Sequence, residues 1–72
     1  MTRLPFLSGK EIIKALEQIG YRKARQRGSH IRLQCPSRKS VTVPDYKMVG
    51  RGLLRKILRD AELTPDEFTK LL

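Results

Sequence analysis

The 72-residue sequence predicts an α+β two-layer sandwich with the order α-β-β-β-α(-α), and three observations carry that reading. Near both ends apolar residues recur with helical spacing, at Ile12, Ile13, Leu16 and Ile19 and again at Leu53, Leu54, Ile57, Leu58 and Ala61. Between them the period drops to two: Ile31, Leu33 and Cys35 alternate with His30, Arg32 and Gln34. Short turn-rich connections then leave room only for a three-stranded antiparallel sheet with the helices packed on one face and the other face open.

Taken in order, Ser8-Gly9-Lys10-Glu11 has the S-x-x-E form of a capping box. Leu7 and Ile12 stand at the spacing of a hydrophobic staple around it, and the first helix is expected over about 8–19. Gly20 stops it, because a residue without Cβ enters the left-handed conformation cheaply. A weaker strand follows over Tyr21 to Gln26, where only Tyr21 and Ala24 are apolar. A turn at Arg27-Gly28 leads into a strand from Ser29 to Cys35, and a second turn at Pro36-Ser37-Arg38-Lys39 into one from Ser40 to Val43. Pro44 ends that strand, and Asp45 to Gly50 forms a loop. The second helix spans about Arg51 to Ala61, with Arg55, Lys56 and Arg59 toward solvent. Thr64-Pro65-Asp66-Glu67 opens a final turn or two whose Phe68, Leu71 and Leu72 close over the core.

A chain of this length makes one domain, 1–72, that buries only about 60% of its unfolded surface. Chemistry on so small a body takes place on an open face and on a large substrate. Sixteen Lys and Arg face seven Asp and Glu, for a net charge of +9. The charge is concentrated: Arg22 to Arg59 holds twelve basic residues and the single acid Asp45. Self-repulsion in such a block is relieved by a polyanion or an acidic protein, and nucleic acid is the default partner. Cys35 stands alone, which fits a reducing cytoplasm and the part of a small buried hydrophobe. No apolar run approaches a membrane span, and the opening Met1 to Leu7 is too short for a signal peptide, so a cytoplasmic protein without a membrane partner is expected.

Phosphate-binding and dinucleotide-binding glycine motifs are absent, and one histidine without a Cys or His partner makes no zinc site, so neither metal nor cofactor is expected. What remains is His30, on the wet face of the middle strand and flanked by Arg27 and Arg32. An imidazole transfers protons near neutral pH. RNA brings its own nucleophile, the ribose 2′-hydroxyl, so a catalyst need only move a proton and hold the phosphate as charge builds, which guanidinium groups do. The residues alone leave other readings open: His30 as a phosphate contact in a non-catalytic RNA-binding module, or as a surface residue of a basic adaptor for an acidic protein.

Several segments resemble one family. Ser8-Gly9-Lys10-Glu11, Gly20-Tyr21, Arg25-Gln26-Arg27-Gly28-Ser29-His30, Val41-Thr42-Val43-Pro44, Gly52 with Leu54-Arg55-Lys56-Ile57-Leu58, and Glu67-Phe68 are together similar to the HicA (YcfA-like) toxins. The resemblance implies a double-stranded-RNA-binding-like fold and a translation-independent endoribonuclease acting on mRNA. It also implies neutralisation by a HicB-like antitoxin whose small domain covers the active face. The family's catalytic histidine follows the glycine turn, which here is His30. Gly28 belongs to that turn, and Arg27, Ser29 and Arg32 join the expected RNA-binding set by proximity. Two positions depart from the family. Asp45-Tyr46-Lys47 stands where many members carry a second polar or His-containing segment. Leu53 stands where many have Thr, a change expected to remove a helix-capping interaction of about 1 kcal/mol.

Overall fold

The computed structural model describes residues 3–72. Its elements are α1 (Gly9–Glu17), β1 (Arg22–Arg27), β2 (His30–Cys35), β3 (Arg38–Pro44), α2 (Arg51–Asp60) and α3 (Pro65–Thr69). The strands form one antiparallel sheet in the order β1-β2-β3, and α1 and α2 pack against β3. This is the expected α+β arrangement. Met1 and Thr2, part of the opening stretch read above, lie outside the described residues. Among the described residues no helix is long and apolar enough to cross a membrane.

Local chemistry accounts for the element ends. The Ser8 hydroxyl accepts the Glu11 amide at 3.1 Å while the Glu11 carboxylate accepts the Ser8 amide at 2.9 Å. Thr64 and Glu67 repeat that reciprocal box at the start of α3, with Pro65 at the first helical position. Both longer helices end in a Schellman pattern. After α1 the Gly20 amide donates to Glu17 and the Tyr21 amide to Leu16, around Gly20 at φ +107°. After α2 the Glu62 amide donates to Arg59 and the Leu63 amide to Leu58, around Glu62 at φ +59°. The Arg38 guanidinium adds a hydrogen bond of 2.8 Å to the Ala61 carbonyl. α2 begins at Gly50 with no side-chain cap, and Leu53 is its third residue and not the cap, so the capping loss expected at Leu53 does not apply.

The core lies between the helices and the inner face of β2 and β3, where Ile31, Leu33, Val41 and Val43 meet Ile12, Leu16, Leu54 and Leu58. Cys35 is a free, buried thiol within it. All six residues of β1 are exposed on both faces, because the helical layer stops short of this edge. Tyr21, just before β1, is fully buried and its hydroxyl donates to the Lys39 carbonyl at 2.7 Å.

Several local expectations are corrected. The first hairpin turns at Gly28-Ser29 rather than Arg27-Gly28, since Arg27 pairs with His30 and Gly28 takes φ +59°. A positive φ at the first of two loop residues suits the twist of the flanking strands. The second turn is likewise only Pro36-Ser37, and β3 starts at Arg38, whose polar side chain gives no alternating signal. Ala24 is exposed at a bulge between Lys23 and Arg25 and does not face the core. Leu53 and Leu72 are exposed as well: Leu53 sits on the edge of the α2 stripe, and Leu72 follows the last turn.

Candidate nucleic-acid interface and active site

Directly paired residues of an antiparallel sheet share a face, so the register defines the surface opposite the helices. β2 presents His30, Arg32 and Gln34 there, all exposed. Arg27 stands opposite His30, Arg25 opposite Arg32 and Arg22 opposite Gln34. On the other side Pro44 pairs with His30 and Thr42 with Arg32. Cross-strand partners have Cβ atoms about 4.5–5.5 Å apart. His30 therefore has Arg27 beside it on one strand and Arg32 two residues along its own.

The position of His30 follows from the glycine turn. Gly28 permits the tight reversal that places the histidine at the first rung of the hairpin. The carbonyl of Ser29 then accepts the Asp45 amide at 2.6 Å. That bond fastens the turn to the segment leaving β3, so the backbone on either side of His30 is held. Ser29 contributes this backbone acceptor, Gly28 the conformation, and Arg27 and Arg32 the charge. The Arg32 guanidinium is steadied by a 2.9 Å hydrogen bond to the Thr42 hydroxyl.

Three guanidinium groups, those of Arg25, Arg27 and Arg32, are thus placed on the exposed face that carries His30, the only histidine of the chain. Arg25 and Arg32 oppose each other directly, an arrangement that destabilises a free sheet by roughly 0.2–1 kcal/mol and is relieved by a bound anion. Not every basic residue is available in this way. Arg22 donates to the Glu17 carbonyl at 3.2 Å and the Tyr21 carbonyl at 2.8 Å, Arg38 is committed to the end of α2, and Arg51 donates to the Leu4 carbonyl at 2.7 Å while its guanidinium lies 4.3 Å above the Phe6 ring. Among the described residues no three His, Cys, Asp or Glu side chains cluster as metal ligands.

The four residues expected around His30 are therefore brought together, two by side chain and two by backbone. Sequence reasoning missed Arg25 and Thr42. Simple alternation from Arg27 would have found Arg25. Arg22 comes opposite Gln34 only through the bulge at Ala24, which shifts the pairing by one residue and which nothing in the sequence announces, and its guanidinium turns back to the end of α1.

Fold and face together define a small basic α+β protein with a cationic sheet surface centred on one histidine. A family model described as the HicA toxin of bacterial toxin–antitoxin systems matches residues 9–63, and the chain belongs to that family. The match takes in α1, all three strands, His30 and α2; Glu67-Phe68, counted in the resemblance, lie beyond it. Comparison with curated proteins gave no match.

Proposed function

We propose that this toxin is an endoribonuclease that cleaves mRNA with His30 as its catalytic residue and without a metal ion. The observation that carries this reading is the placement of His30, exposed on the open sheet face with Arg27 across from it and Arg32 along the strand. In the reaction the ribose 2′-oxygen attacks the neighbouring phosphorus and the bond to the 5′ oxygen breaks. His30 takes the 2′-hydroxyl proton or delivers one to the departing oxygen. Arg27 and Arg32 hold the phosphate as charge develops on it. The edge position of β1, and the absence of any helix over this face among the described residues, leave room for a long polyanion.

A HicB-like antitoxin inhibits, on this reading, by laying an acidic surface over the same arginines and occluding His30. A complex that leaves His30 open to RNA would sink that part of the proposal.

The deciding experiment is cleavage of RNA by the purified chain in chelator, wild type against His30→Gln, with RNA binding measured for both. Cleavage by wild type and binding without cleavage by His30→Gln support the reading. If both bind and neither cuts, the face belongs to a non-catalytic RNA-binding module. Weak, unselective RNA binding beside a salt-resistant protein complex would indicate an adaptor instead.

A further inference from the structure

Beside His30 lies a second feature that the cleavage chemistry leaves unused. The segment Asp45-Tyr46-Lys47 leaves β3 at Pro44, the residue opposite His30, and its backbone is pinned on both sides. The Asp45 amide donates to the Ser29 carbonyl at 2.6 Å, and the Gly9 amide donates to the Tyr46 carbonyl at 2.9 Å. Tyr46 is thereby held between the turn that carries His30 and the first residue of α1. On this fixed backbone its side chain is 45% exposed, whereas Tyr21 is fully buried with its hydroxyl bonded. The core makes no use of Tyr46. The residue borders a shallow cavity of about 270 Å³ that it shares with Ser8, Lys10, Asp45 and Lys47.

We propose that this cavity is a nucleobase subsite, in which a single-stranded RNA base next to the phosphate at His30 stacks on the Tyr46 ring. The proposal rests on the reading of the sheet face as an RNA-cleaving surface and names the part of the substrate held beside it. An exposed aromatic ring on a held backbone, with cations lining the same cavity, is a pattern by which proteins hold unpaired bases: the ring takes the face of the base and the cations follow the backbone. Lys10 and Lys47 are those cations here. Distance agrees, since the two residues from Pro44 to Tyr46 span at most about 7 Å of chain, within reach of a nucleotide adjoining the one at His30. A base splayed onto Tyr46 also leaves the stack, which frees the neighbouring ribose for in-line attack.

The test uses the full chain carrying His30→Gln, so that RNA is bound and not cut. Short single-stranded RNAs carry 2-aminopurine at successive positions, and fluorescence is read while affinity is titrated. Tyr46 should quench the probe at one position, and Tyr46→Phe should keep both the quenching and the affinity. Tyr46→Ala and Tyr46→Leu should lose the quenching there and bind about tenfold or more weakly, since stacking and not bulk supports the base. Thermal unfolding of each variant checks that the fold is intact. Unchanged quenching and affinity in Tyr46→Ala would overturn the proposal, as would a Tyr46→Leu variant that behaves like Tyr46→Phe. Quenching and affinity are read without cleavage, so they report on Tyr46 even where His30 proves not to cut. Conversely, cleavage by the wild type together with an indifferent Tyr46→Ala leaves the His30 reading standing and removes this one.

Discussion

Gly9 lies so near Pro44 that a Cβ on Gly9 would sit 2.0 Å from the Pro44 carbonyl oxygen. Pro44 is also the partner of His30 across β2 and β3. The start of α1 therefore presses on the strand that flanks the histidine, and only a residue without a side chain allows it. Gly9→Ala is expected to destabilise the protein by about 1–3 kcal/mol, the usual range for an extra methyl forced into a packed site. The readout is a lower urea midpoint at unchanged slope. Since Pro44 must move, RNA cleavage per folded molecule is expected to fall as well, and a variant as stable and active as wild type would contradict the contact.

Removing one member of the opposed pair Arg25 and Arg32 should act in opposite directions on the free and bound protein. Arg25→Gln relieves like-charge repulsion and is expected to stabilise the free chain by a few tenths of a kcal/mol at low salt. It is also expected to weaken RNA binding. The slope of log affinity against log salt should shrink by about 0.7 for single-stranded RNA, the value of one lost phosphate contact. An unchanged slope would place Arg25 outside the interface.

Glu62 occupies the left-handed position that Gly20 fills at the end of α1, yet it carries a side chain. A left-handed conformation costs a non-glycine residue about 1–2 kcal/mol, of which glycine's extra freedom in the unfolded chain returns part. Glu62→Gly is expected to raise stability by up to about 1 kcal/mol and to leave RNA binding untouched. Thermal unfolding gives the sign directly.

Tyr21 makes a prediction about alkaline pH. Burial is the main cause that pushes its hydroxyl above the ordinary phenol value of 10.0, and the neighbouring Cys35 adds to it. A group whose pKa is raised by folding keeps the folded chain protonated where the unfolded chain has already ionised. The stability it contributes is full below about pH 10 and is lost as the pH climbs toward the folded value. Tyr21→Phe is expected to flatten that alkaline loss. At neutral pH the same variant should cost about 1 kcal/mol through the hydrogen bond no longer made to Lys39. Denaturation curves taken at neutral pH and above pH 10 separate the two effects.

Much of this was legible in the residues because periodicity and capping are local. The box at Ser8 and Glu11, the alternation of β2 and the stripe of α2 each depend on neighbours within a turn or a strand. His30 was legible for the same reason: alternation puts it opposite Ile31 and Leu33, on the side that stays wet. Arg27, Gly28, Ser29 and Arg32 came with it through nearness along the chain. Tyr46 did not, since its place depends on bonds to residues far away in sequence.

By itself, then, the sequence determined the order of the elements, the inner and outer faces of β2, and the family to which its motifs belong. Those follow from short-range sterics and from which side chains leave water. Only the tertiary structure decided which arginines share a face with His30, how far the helices cover the sheet, and that Asp45 and Gly9 hold Tyr46 beside the histidine. These features arise from strand register and from the packing of α1 on Pro44, which are set by the whole core settling at once and by no local run of residues.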